Sequence, residues 1–222
     1  MLLPLILICI TSRLGEDSYV ESSISNYYYT SNGDVLVVIL CIIGVFLFTH
    51  QGYDMKDKLW NSLAGLAAIG IAFFPTRSVF PREAFSIHVH TRPIVEIFGI
   101  ELHFIMAIFF FVSIAYITLF LFTKGRISDS LTSPKKKRNI LFYISGSFIV
   151  LSLVLLAIYF GWERTLEPFI GSFPIVFVLE TIAVEAFALS FLTKGQTFFP
   201  DETHYLIKGF EDVKTTISNA IK

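Results

Sequence analysis

Charge is scarce in this chain. Asp, Glu, Lys and Arg make up 16% of its 222 residues, against about 25% in soluble domains. Cysteine is scarcer. Cys9 and Cys41 both sit inside apolar blocks, which reads as two small hydrophobes rather than a disulfide framework or a redox motif. No Walker loop, dinucleotide fingerprint or H-E-x-x-H pair occurs. The net charge is −1. With 54% hydrophobic residues in long uncharged runs, these absences exclude a soluble enzyme, a secreted disulfide scaffold, a disordered tail and a nucleic-acid binder. What is present in quantity is apolar side chain, 24 phenylalanines included. The chain reads as an integral membrane protein.

A spanning helix needs about 20 apolar residues. Five stretches qualify or come close: 35–49, 59–75, 104–123, 140–162 and 168–193, the last interrupted by Glu180 and Glu185. The first block, 1–10, covers only about 15 Å at helical rise. It lacks the basic start and small-residue cleavage site of a signal peptide, so it reads as part of a first helix that is short or begins upstream. Lys124, Arg126 and Lys135–Arg138 place the fourth connection in the cytoplasm. Six spans then put twelve of the 17 basic residues inside, leaving Arg13, Arg77, Arg82, Arg92 and Arg164 outside.

The even-numbered spans end alike: Phe-Leu-Phe-Thr49-His, Phe-Leu-Phe-Thr123-Lys and Ser-Phe-Leu-Thr193-Lys. Either three hairpins share an ancestor or three helix ends meet one interfacial need. Beyond residue 200, Leu206, Phe210, Val213, Ile217 and Ile221 mark one face of an amphipathic helix. It lies on the bilayer or docks on another protein.

Ionisable residues within apolar spans are the candidate sites. Asp34 follows a Ser-Asn-Gly turn and is either a helix cap or an interior polar group about 22 Å above Thr49. Glu180 lies about 20 Å above Thr193, at nearly the same depth. It is either a functional carboxylate or a hydrogen-bond partner for another helix. His103 opens the fourth span beside Glu101, nearer the outer surface, where a helix-end histidine is the plainer role. Tyr27, Tyr28 and Tyr29 are expected at the outer aromatic belt. His88 and His90 have no fixed third ligand and do not define a zinc site. The small residues Ala64, Ala68 and Ala72 read as a helix-packing stripe, with Ser62 no nucleophile.

Several segments carry a family likeness: Ser23-Ile-Ser-Asn-Tyr-Tyr-Tyr-Thr with Asp34, Ala68-Ile-Gly-Ile-Ala-Phe-Phe-Pro75, Leu102-His-Phe, and Leu179-Glu-Thr with Lys194-Gly195. Together they resemble an uncharacterised family of bacterial six-helix membrane proteins. That family is loosely similar to the autophagy-modulator and GPI-remodelling superfamily. The resemblance implies a six-helix fold with a complete first helix, and it places Asp34, His103 and Glu180 in motifs. A basic residue usual before the aspartate is Gly33 here. The histidine pair of ceramidase-like zinc hydrolases is missing.

The expected architecture is therefore an all-α polytopic bundle of six transmembrane helices over 1–200, both termini cytoplasmic, with a cytoplasmic tail helix over 201–222. The expected function is non-enzymatic binding of a lipid or amphiphile in an outward-facing polar pocket, with Tyr28, Tyr29, Asp34, Glu101, His103 and Glu180 as ligand contacts. One alternative is a lipid hydrolase or remodelling enzyme, possibly metal-dependent, with Asp34, His103 and Glu180 catalytic or metal-holding. A proton-coupled transporter is the third reading. No cofactor is specified. The expected setting is the bacterial inner membrane, with lipids and either a second copy or another membrane protein as partners.

Overall fold

The computed structural model describes residues 3–13, 20–30, 33–50, 52, 54–77, 93–124 and 133–195. The tail helix expected over 201–222 and the His88–His90 pair lie outside the described residues. The described chain is mostly helical: α1 (Leu3–Arg13), a 3-10 helix (Ser25–Tyr29), α2 (Gly33–Thr49), α3 (Met55–Phe73), α4 (Leu102–Tyr116), α5 (Ser133–Gly161), α6 (Glu163–Ile170) and α7 (Ile175–Lys194). A two-stranded hairpin, β1 (Glu96–Ile97) and β2 (Ile100–Glu101), leads into α4.

Three helices are long and apolar enough to cross a membrane: Leu102–Leu121, Pro134–Gly161 and Ile175–Lys194. The first is α4 continued by a π-helical turn over Ile117–Leu121. α2 is equally apolar but shorter. α3 opens with Lys56, Asp57 and Lys58, which shortens its uncharged part. The stretch 168–193, expected as one span, is divided. α6 ends at Gly171, whose φ of +59° suits glycine, and α7 begins only after Pro174. The basic run Lys135–Arg138, expected in a loop, forms the first turns of α5.

The side chains are sorted for lipid rather than water. On α5, Phe142, Ser145, Ile149, Ser152 and Leu156 are buried, at steps of three and four. The opposite face exposes Ile144, Phe148, Leu151, Leu155 and Ile158. A water-soluble helix would expose its serines and bury its leucines.

α2 packs on α3, α3 on α4, and α5 on α7. The expected small-residue stripe of α3 is wholly inside: Ala64, Ala68 and Ala72 are at most 1% exposed. Two apolar clusters result. One joins Leu47, Ala64, Phe111, Ile114, Phe142 and Phe187 across the bundle. The other gathers Leu3, Leu7, Leu36, Leu40 and Phe177 around Tyr27, Tyr28 and Tyr29.

That second cluster corrects one expectation. The three tyrosines are not a surface belt: they are 0%, 9% and 9% exposed. The 3-10 segment folds in against α1, α2 and α7, and the Tyr29 hydroxyl donates to the Thr76 carbonyl.

The similar helix ends meet at the other end of the bundle. Thr49, Thr123 and Thr193 each donate to a carbonyl three or four residues back, at 2.8–3.0 Å. The Phe191 ring touches those of Phe46, His50 and Phe122. Lys194 donates to the Phe122 carbonyl, and Lys124 binds Asp57 at 2.7 Å. One need is visible at all three ends: closing frayed carbonyls and packing an aromatic layer.

Candidate functional site

The polar side chains at the hairpin end converge on residues 22–29. The short 3-10 turn of this segment satisfies only part of its backbone internally, so the remaining N–H and C=O groups look outward for partners. α7 supplies two of them. The Glu180 carboxylate accepts the Ile24 N–H at 2.8 Å, and the Phe177 N–H donates to the Ser22 carbonyl at 3.0 Å. Within the segment, the Asn26 amide donates to Ser22 Oγ at 2.5 Å.

α4 supplies the third contact, His103, which is 5% exposed. Its Nδ1 lies 2.8 Å from the Phe74 carbonyl and its Nε2 lies 2.9 Å from Ser25 Oγ. A carbonyl only accepts, so Nδ1 carries the hydrogen. In the neutral ring Nε2 is then a lone pair, and Ser25 donates to it. His103 thus ties α4, the end of α3 and the 3-10 helix together.

Glu101 sits immediately above. Its Oε2 accepts from Thr76 Oγ1 at 3.0 Å and from the Arg77 N–H at 3.1 Å. The Arg77 guanidinium lies 2.5 Å from Glu96 and 3.5 Å from Glu101. The guanidinium pairs are solvent-exposed on the Arg77 side and contribute little stability. The backbone clamp on residues 76–77 is the firmer contact.

Two spaces flank Ser25 and His103. Beneath them is an apolar cavity of about 50 Å³, lined among others by Tyr28, Leu40, Ala72, Phe110 and Glu180. Above them is a wider cleft of about 280 Å³. Its polar lining is Ser22, Ser25, Asn26, Thr76, Arg77, Glu101 and Glu163. Phe104, Tyr159, Phe160, Phe173 and Val176 supply its aromatic and apolar lining.

The expected site residues therefore divide. His103 lines both spaces, with Glu101 in the upper cleft and Glu180 and Tyr28 in the lower cavity. Tyr29 serves the fold through Thr76. Asp34 stands apart: it is exposed in the first turn of α2 and lines neither space. Among the described residues no three His, Cys, Asp or Glu side chains come together as a metal site. Glu185 is turned elsewhere, with one buried oxygen unpaired.

Nothing in the sequence distinguishes Ser25 from its neighbours, although it lies in the motif beginning at Ser23. The only cue is a cluster, Ser22-Ser23-Ile24-Ser25-Asn26, too polar for a span and too short for a loop domain. No family model, no curated protein and no solved structure matches this chain.

Proposed function

We propose that the chain is a membrane protein that binds a lipid or small amphiphile in the cleft above His103. The observation that carries this is the mixed lining. Serine, asparagine, threonine and charged side chains share the cleft with phenylalanines at one end of a lipid-sorted bundle. Such a lining suits a molecule with a hydrogen-bonding head and a hydrocarbon chain. Glu101 and Glu163 outnumber Arg77 there, which favours a neutral or cationic head over a bare phosphate.

The reading takes the bundle as six spans, with α1, α2 and α3 joining the three long helices and the cleft facing outward. The resemblance to six-helix bacterial proteins supports that count, and the basic-residue bias supports cytoplasmic termini in the inner membrane. Irregular backbone at membrane depth is tolerated where protein satisfies it, as the Glu180 carboxylate does for the Ile24 N–H.

Mass spectrometry of lipids retained by the protein in nanodiscs tests the proposal. Val176→Trp, which fills the cleft, is expected to abolish retention of the bound amphiphile. Leu151→Trp, on the exposed face of α5, is expected to leave it unchanged. Equal retention in wild type and Val176→Trp would refute binding in the cleft.

A further inference from the structure

We propose that Ser25 is a nucleophile and His103 its general base, so that the cleft cleaves an acyl ester carried by the amphiphile it holds. The proposal rests on the binding reading above and adds chemistry to it. Three observations carry it. Ser25 Oγ and His103 Nε2 are 2.9 Å apart, within the reach needed for proton transfer. The ring is oriented from behind by the Phe74 carbonyl at 2.8 Å, which fixes the hydrogen on Nδ1 and turns the basic nitrogen toward the serine. Ser25 is half-buried and lines the cleft, while His103 is buried under it. A hydroxyl facing the ligand with its base withdrawn behind it is the order that nucleophilic catalysis requires. A carbonyl here takes the orienting place that a carboxylate fills in serine–histidine–aspartate triads.

Glu180 acts as a positioning residue. By holding the Ile24 N–H at 2.8 Å it fixes the backbone one residue before the nucleophile. Asn26 and Arg77 line the same cleft and bring side-chain N–H groups to it.

The reaction balances with water as the only co-reactant. The Ser25 oxygen adds to the ester carbonyl carbon as its proton passes to His103 Nε2. The carbon–oxygen bond to the alcohol breaks, and the alcohol leaves with that proton. Water then adds to the acyl-serine, again giving its proton to His103. Collapse releases the free acid and returns the proton to Ser25. The Phe104 and Phe160 lining of the cleft would take the acyl chain.

The full chain in nanodiscs, treated with an alkyl fluorophosphonate, tests this. The expected result is one adduct per chain, mapped by peptide mass spectrometry to Ser25, absent in Ser25→Ala and formed at least about 100-fold more slowly in His103→Gln. The wild-type adduct map decides independently of whether His103→Gln folds. Labelling at Ser22 or Ser23, or no labelling at all, overturns the dyad. If the unlabelled protein still retains amphiphile, the binding reading stands while the catalytic one falls. If Val176→Trp also retains it, the binding reading falls as well.

Discussion

Gly44 on α2 and Gly65 on α3 meet backbone to backbone, and this crossing gives the sharpest quantitative test of the fold. A methyl placed on Gly65 would lie 2.6 Å from the Gly44 carbonyl oxygen and 3.0 Å from the Phe48 nitrogen. One placed on Gly44 would lie 2.8 Å from the Gly65 carbonyl oxygen and 2.6 Å from Ile69 Cγ1. Ordinary contact begins near 3.4 Å, so against the carbonyls the helices must part by about 0.6–0.8 Å. Backbone atoms cannot swing aside as a side chain can. Overpacking of this kind costs about 1–3 kcal/mol, so Gly44→Ala and Gly65→Ala are each expected to lose that much. One separation relieves both clashes. The double variant is therefore expected to fall short of the sum of the singles by about 0.5–3 kcal/mol. Unfolding in mixed micelles, followed by Trp60 fluorescence, measures this, because Trp60 of α3 stacks on Tyr116 of α4 at 4.3 Å. Val45→Ala, on the exposed face of α2, is the control and should change little. Strict additivity, or singles within about 0.5 kcal/mol of wild type, would refute close backbone packing at this crossing.

Three further outcomes follow from the polar contacts. Lys124→Met should cost about 1–3 kcal/mol, because it removes the ammonium contact at 2.7 Å from the buried Asp57 carboxylate. The hydrogen bond to Asp57 raises the Lys124 ammonium above its usual value, so this stabilisation should be complete at neutral pH and lost only as pH rises past the lysine range. Thermal melts of both proteins across alkaline pH check the point. His50 is shifted the other way, by burial first and the neighbouring Lys194 second. The unfolded chain then binds more protons just below the ordinary histidine range, so stability should fall as pH drops from about 7 to about 5. His50→Phe, which keeps the ring contact with Phe191, should flatten that slope. Glu180→Gln retains an acceptor for the Ile24 N–H and should fold. Glu180→Leu should lose about 1–3 kcal/mol and release hydrogen-exchange protection at Ile24.

What was legible in the sequence follows the strength of its period. α4 and α5 were read closely because long uncharged runs admit little else. The 168–193 run departs from the structure at its start, since hydropathy does not register that Gly171 and Pro174 break a helix between two apolar stretches. The tyrosines were misplaced for a related reason. An aromatic triplet beside a span suits a lipid interface, and nothing local reveals that α1 and α7 close over it. Glu101, His103 and Glu180 were legible as candidates because an ionisable group is conspicuous among leucines. Asp34 was equally conspicuous and is simply exposed. Depth along a helix follows from residue count, but the direction a side chain takes around it depends on partners hundreds of atoms away.

The two readings open for Glu180, a structural hydrogen bond and a functional group, are not rivals in this fold. A carboxylate inside a span is costly unless something there needs an acceptor. Residues 22–29 need outside partners of both kinds, because so short a 3-10 segment leaves N–H groups unpaired at its start and carbonyls unpaired at its flanks. Glu180 meets one at Ile24, His103 engages the hydroxyl of the next residue, and the Phe177 N–H meets the Ser22 carbonyl. Each of these contacts comes from a long helix to a short segment. The segment is thus held more rigidly than its own hydrogen bonds allow, and its only half-buried hydroxyl that faces a base is Ser25. Rigid placement of a polar group at the edge of an apolar cleft is what binding an amphiphile requires. It is also what attack on its ester would require, so the structural contact is the means by which any chemistry at Ser25 is positioned.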